Sequence, residues 1–123
     1  MRVTREAFEK LVAEALDGLP AEFAGKLENV EVLVEAAPSP DELGGRELPP
    51  GHVLLGLYRG VPLTNRSVFA TSLFPERIVI FQRPLEMVSR STGDIVENVR
   101  HTVLHEIAHH FGISDARLRE LGY

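Results

Sequence analysis

Residues 91–115 read STGDIVENVRHTVLHEIAHHFGISD, a stretch that predicts one long helix with a defined start and end. The segment 91–94 is typical of a helix start, with an acidic residue in the first turn. From about residue 94 to residue 111 apolar residues recur at the spacing of one helix face, at Ile95, Val99, Val103 and Ile107. Gly112 is expected to end this helix, and Ser114 to cap a short last helix.

Three strands are predicted upstream of this helix. Residues 30–36, VEVLVEA, place valines on one face and glutamates on the other, as a half-buried strand does. Residues 52–58 and 77–82 are the other two strand candidates. Proline and glycine are frequent in residues 37–51, and residues 59–76 form a long irregular connection, so both segments are predicted loops.

Two further helices are predicted. Residues 4–17 carry apolar residues at helical spacing, with Thr4 as a plausible N-cap. Pro84 can open a short helix that ends near Arg90. Because helices and strands are mixed in this order, we expect an α+β fold, and the length predicts a single domain spanning residues 1–123.

Composition restricts the classes of partner. No apolar run approaches the ~20 residues of a membrane span, and the first ten residues lack the apolar stretch of a signal peptide. The chain has no cysteine, and its net charge is −5 without a cluster of Lys and Arg. We therefore expect a cytoplasmic protein that binds neither membranes nor nucleic acid, in which any metal is held by His, Asp or Glu. The oligomeric state is left open.

His105 and His109 are candidate metal ligands, and Glu106 is the candidate catalytic residue. Four helical residues advance about 400°, so the two histidines lie on one face, one turn apart, and their imidazoles can converge on one ion. Glu106 lies about 100° further round and borders that ion without binding it. This HExxH spacing predicts two zinc ligands and a glutamate general base. The alternative is a set of buried polar residues with purely structural partners.

The third zinc ligand has more than one candidate. A catalytic zinc takes three protein ligands and leaves one position for water. Gly112 can turn the chain back across the helix end, which offers Asp115 as the third ligand. Asp115 could instead serve only as a helix cap, and Glu120 could then be the ligand. His101, as a fourth ligand one turn before His105, would close the site and indicate a structural zinc.

Hydrolysis is the reaction that this set of residues predicts. A zinc-bound water deprotonated by Glu106 would attack a polarised carbonyl, and Glu106 would pass the proton to the leaving amine. The first hypothesis is therefore a zinc-dependent peptidase acting on peptides or unfolded proteins. A metal-dependent hydrolase of a non-peptide bond and a non-catalytic zinc-binding module are the alternatives. Candidate donors to the oxyanion are His101, His110 and Tyr123, which lie near in sequence.

The segment HEIAHHFGISDARLRELGY at 105–123 resembles the signature of a small bacterial family of zincin-like metallopeptidases, first known as a domain of unknown function. GLYRGVPLT at 56–64 and RIVIFQRPLEM at 77–87 are similar to the same family, so the resemblance covers most of the chain from about residue 50. It implies a minimal zincin fold, in which a small mixed sheet packs on helices and the HExxH helix lies across it. It also implies zinc as the cofactor, with His105, His109 and Asp115 as its ligands and Glu106 as the base.

The chain also resembles metzincins but departs from them. Metzincins carry a third histidine where Asp115 stands, followed by a methionine turn beneath the zinc. Only eight residues follow Asp115 here and none of them is Met, while Met87 lies upstream and is expected in the core. Peptidases of this type bind substrate as an added strand on a sheet edge, and the strand beside the 59–76 loop is the candidate edge.

Overall fold

The computed structural model describes residues 1–27, 30–40, 53–59 and 76–122. In chain order its elements are α1 (Arg5–Asp17), α2 (Ala21–Ala24), a 3-10 turn (Gly25–Leu27), β1 (Val30–Glu35), β2 (Gly56–Arg59), β3 (Glu76–Phe81), α3 (Gln82–Met87), α4 (Thr92–Phe111) and α5 (Asp115–Glu120). The predicted α+β class is confirmed.

The described strands form one mixed sheet in the order β1–β3–β2. β1 runs parallel to β3, with Val32 opposite Ile78, and β2 runs antiparallel to β3, with Tyr58 opposite the same residue. β3 is central because residues 78–81 are apolar on both faces and fully buried. β1 instead alternates between half-buried valines and exposed residues over most of its length. Among the described strands, β1 and β2 are therefore the edges, and the small mixed sheet expected of the fold is present.

The core lies between this sheet and the helices, and α4 provides its longest wall. The apolar stripe of α4 is buried as its spacing predicted, at Ile95, Val99, Val103 and Ile107. α1 packs against α4 and buries Phe8, Val12 and Ala15. α4 also packs against β2 and β3, so its last turns lie at the edge of the sheet. Within the described ranges, no helix combines the length and the apolar character needed to cross a membrane.

Several boundaries differ from the sequence predictions. β2 begins at Gly56 rather than at residue 52, because residues 53–55 adopt no regular structure. α3 begins two residues before Pro84, so the proline is the third residue of the helix. A proline is tolerated there because the N–H groups of the first turn have no acceptor within the helix. α3 also ends at Met87 rather than near Arg90. Of the predicted loop over 59–76, the two end residues, Arg59 and Glu76, belong to β2 and β3 instead, and the rest lies outside the described residues. Most of the predicted loop over 37–51 also lies outside them.

The expectation that Met87 is a core residue is wrong. Its side chain is 73% exposed. The short helix α3 turns Leu85 and Glu86 inward, and the next position along the helix then faces outward.

Candidate metal centre

The candidate site is built on the last two turns of α4 and on the turn that follows. α4 ends at Gly112, which has φ 71° and adopts the left-handed conformation that glycine takes without steric cost. The backbone N–H of Ile113 then donates to the carbonyl oxygen of Ala108 at 2.8 Å. The predicted helix end is therefore confirmed, and the chain reverses beside the two histidines of the last turns.

His105, His109 and Asp115 converge at this reversal. One ligand atom of each lies within 4.8 Å of the ligand atoms of the other two. Nitrogen and oxygen ligands lie about 2.0–2.2 Å from zinc, so the ligand atoms of a tetrahedral site are about 3.3–3.6 Å apart. Small rotations of the side chains would reach that spacing. Two imidazoles and one carboxylate are donors that zinc accepts, so the residues present fit this metal.

Asp115 is not the side chain that caps α5. The cap is Ser114, whose Oγ accepts the backbone N–H of Arg117 at 3.2 Å. Asp115 follows as the first residue of the helix and directs its carboxylate to the histidines. Glu120, the rival third ligand, instead accepts a hydrogen bond from the Arg117 guanidinium at 3.1 Å. Within the described residues, the converging group contains Asp115 and not Glu120.

Burial lowers the pKa of the His105 imidazole, while the carboxylate of Asp115 opposes that shift. Positive charge on His101 or His109 lowers the same pKa further, and the net direction is downward. A lowered pKa favours the neutral ring, which is the form that binds a metal ion. The ring of His101 is nearly parallel to that of His105 at a centroid distance of 6.4 Å, outside the converging group.

Glu106, the candidate base, follows His105 on α4. Its side chain is half-buried, and Oε2 accepts the backbone N–H of Tyr58 at 3.2 Å. The two residues are 48 positions apart in sequence, so this contact joins β2 to α4 at the candidate base. Helical spacing alone could not reveal it.

His110 lies against Tyr58 on the flank of α4. Their ring centroids are 4.1 Å apart and their planes differ by 13°. The Nε2 atom of His110 lies 3.5 Å from Oε2 of Glu76, and the Tyr58 hydroxyl donates to the same oxygen. His110, a candidate oxyanion donor from sequence, is therefore packed and paired with these residues. The third candidate donor, Tyr123, lies outside the described part of the chain.

Sequence reasoning missed Tyr58 and Glu76 as neighbours of the site. Neither residue belongs to a spaced motif, and both lie on strands far from α4 in sequence. The one signal was the stretch at 56–64, which contains Tyr58 and is similar to zincin-like proteins.

Comparison with known proteins places the chain among these relatives. The sequence profile of the zincin-like metallopeptidases matches residues 27–123. The match includes β1, and it begins earlier than the resemblance, which covers the chain from about residue 50. A conserved hypothetical protein from Thermus thermophilus has a similar structure, with a TM-score of 0.57 and 29% sequence identity over 89% of this chain and 94% of the other. None of the curated proteins matches the chain.

Proposed function

The chain belongs to the zincin-like metallopeptidase family, and we propose that it is a zinc-dependent peptidase. In this proposal His105, His109 and Asp115 hold the metal, and Glu106 is the general base. The observation that carries the proposal is the convergence of the three ligand atoms within 4.8 Å. Three ligands in the described residues are the number found in catalytic zinc sites, which keep a fourth position for water.

Zinc bound by these residues supplies Lewis acidity at the scissile carbonyl and makes water acidic enough to lose a proton near neutral pH. Glu106 accepts that proton as the water oxygen bonds to the carbonyl carbon. The carboxylic acid then gives the proton to the amine nitrogen as the C–N bond breaks, and Glu106 returns to its carboxylate form. The Tyr58 N–H at 3.2 Å orients the carboxylate for both transfers.

We propose a peptide or an unfolded segment as the substrate, bound in extended form along the outer edge of β2. An extended chain can pair with the backbone of an edge strand, and β2 is an edge of the described sheet. Glu106 contacts the backbone of this same strand. Because Glu106 already accepts the Tyr58 N–H, such a substrate pairs with the other outward backbone groups of β2, and its peptide bonds then lie close to the base.

Metal analysis of untagged protein tests the ligand assignment. We expect about one zinc per chain in the wild type, much less in His105→Ala, and an unchanged content in Glu106→Gln, because the glutamate is not a ligand. Unchanged zinc in His105→Ala, or no zinc in the wild type after incubation with the metal, would reject the site.

A peptide library then tests the reaction. Turnover by the wild type and its loss in zinc-loaded Glu106→Gln would support a peptidase. If the zinc-loaded wild type cleaves non-peptide amides or esters but no peptide, the protein is a hydrolase of another bond. If it cleaves neither and unfolds when zinc is chelated, the site is structural.

A further inference from the structure

The backbone N–H and C=O groups of Tyr58 point away from β3, toward the outer edge of the sheet. The N–H of Phe81 donates to the carbonyl oxygen of Leu55 at 3.0 Å, so residue 55 directs its backbone groups toward β3. In an antiparallel pair, the backbone N–H and C=O groups of successive residues point alternately toward the partner strand and away from it. Residues 56 and 58 therefore direct these groups away from β3. The outward N–H of Tyr58 donates to the Glu106 carboxylate at 3.2 Å.

The side chain of Tyr58 contacts two other residues, His110 on α4 and Glu76 on β3. Its ring stacks on His110 at a centroid distance of 4.1 Å, and its hydroxyl donates to Glu76. The side chains of His110 and Glu76 are only 18% and 12% exposed, so this cluster is largely shielded from water. Shielded polar contacts of this kind hold their geometry better than contacts on an open surface.

The amide contact to Glu106 and the ring contact to His110 both connect the short strand β2 to α4. Stacking on His110 fixes the position of the strand relative to α4. Glu106 lies on α4 four positions before His110, one turn away, so fixing the strand also fixes the distance from the Tyr58 amide to the carboxylate. A hydrogen bond from a backbone amide to a carboxylate oxygen restricts how the carboxylate can rotate.

We propose that Tyr58 is a positioning residue for Glu106. Its ring, held by His110 and Glu76, sets β2 against α4, and its amide thereby holds the Glu106 carboxylate beside the converging histidines. The role in catalysis rests on the proposed function, whereas the link between ring and amide is a property of the fold.

Amide hydrogen exchange at residue 58, followed by NMR in the zinc-loaded protein, tests the structural link. Tyr58→Leu keeps the amide and loses the ring contacts, so exchange at residue 58 should be about tenfold faster or more. Tyr58→Phe keeps the stacked ring and should stay within about threefold of the wild type. Glu106→Ala removes the acceptor and should also accelerate exchange at residue 58. The amides of residues 78–80 in β3 serve as the internal control, because they should not change.

Steady-state kinetics on a cleaved peptide test the positioning role. In Tyr58→Leu we expect kcat to fall about tenfold or more, with zinc content close to the wild type, because the change affects the base and not the metal. Tyr58→Phe should recover most of kcat. A purely structural role would instead leave kcat of the folded fraction unchanged.

Each outcome decides the question. Unchanged exchange at residue 58 in Tyr58→Leu would overturn the proposal, as would faster exchange with unchanged kcat. If exchange also accelerates in β3, Tyr58→Leu has lost its fold and His110→Ala becomes the deciding variant, since it removes the stacking from the helix side. If the amide of residue 58 then exchanges as slowly in His110→Ala as in the wild type, the proposal is overturned. If the wild type cleaves no peptide, the proposed function fails, while the exchange data still decide whether the ring holds the amide on Glu106.

Discussion

The Cγ2 methyl of Thr102 on α4 occupies the space into which a side chain at Gly56 on β2 would project. A Cβ at Gly56 would lie 2.5 Å from that methyl and 3.1 Å from the carbonyl oxygen of Val79. Thr102 cannot easily turn aside, because it is β-branched and its hydroxyl donates to the carbonyl oxygen of Asn98 at 2.7 Å. Strand and helix therefore approach as closely as a glycine allows, two residues before Tyr58.

Gly56→Ala should lower the free energy of unfolding by about 1–3 kcal/mol, because the added methyl overpacks the contact between β2 and α4. Urea unfolding measures the loss. Thr102→Ser deletes only the methyl and keeps the hydroxyl, so Gly56→Ala combined with Thr102→Ser should recover most of the stability. Gly25→Ala is the matched control, since a Cβ there meets nothing within 4 Å. An equal loss from Gly56→Ala with and without Thr102→Ser would show that this methyl is not the obstacle.

Gly112→Ala should be costly for a different reason. A Cβ at Gly112 meets nothing within 4 Å, so its effect comes from the backbone, which has φ 71°. Alanine in this conformation costs about 1–2 kcal/mol, whereas asparagine adopts it more readily. We therefore expect the free energy of unfolding to be highest in the wild type, lower in Gly112→Asn and lowest in Gly112→Ala. Zinc affinity should fall in the same order, because the turn at Gly112 aims Asp115 at the histidines. Equal stability of the two variants would contradict this account.

The end of α4 and the converging group could be predicted because their signals are local. Gly112 and Ser114 act on residues within one turn of themselves, and the three proposed ligands fall within eleven positions of the chain. Helical geometry alone then brings His105 and His109 to one face. The position of Asp115 follows once a single glycine reverses the chain.

The contacts of Tyr58 could not be predicted in this way. They depend on the strand order, in which the last strand in sequence lies in the centre of the sheet. The apolar run at 78–81 indicates burial on both faces, but periodicity does not tell which strands are its neighbours. The burial of the Glu86 carboxylate gives no sequence signal either, since glutamates are mostly exposed and one of its hydrogen-bond donors, the N–H of Val3, is distant in the chain.

The two roles considered for Asp115 predict different results. If Asp115 binds zinc, Asp115→Asn should weaken zinc binding by about tenfold or more while changing the stability of the zinc-free protein little. Ser114→Ala should do the reverse, with a loss of about 1 kcal/mol in stability and retained zinc affinity, because it removes the cap of α5. Glu120→Gln controls for the loss of a carboxylate and should leave zinc affinity unchanged. Competition with a chelator measures the affinities, and weaker binding in Glu120→Gln than in Asp115→Asn would make Glu120 the ligand.

Acid stability should depend on Glu86, a residue that is only 2% exposed. Its carboxylate accepts the N–H of Val3 at 2.8 Å, the side-chain amide of Gln82 at 3.2 Å and the guanidinium of Arg83 at 2.7 Å. Burial raises the pKa of Glu86, but these hydrogen bonds and the charge of Arg83 outweigh it, so the pKa lies below its usual value. The carboxylate therefore stabilises the fold above its unfolded pKa of about 4.3, and this stabilisation is lost as pH falls through the lower folded pKa.

Glu86→Gln keeps the shape of the side chain but replaces one acceptor oxygen with a donor. We expect it to lower the free energy of unfolding by about 1–3 kcal/mol near neutral pH. The difference from the wild type should shrink as the pH falls below about 5 and through the lowered folded pKa, because unfolding of the wild type in acid is coupled to protonation of Glu86. Urea unfolding of both proteins with a chelator present removes the contribution of metal release. Glu14→Gln, an exposed change on α1, controls for the loss of one negative charge. A difference that stays constant across this range would mean that the ionised carboxylate of Glu86 does not stabilise the fold.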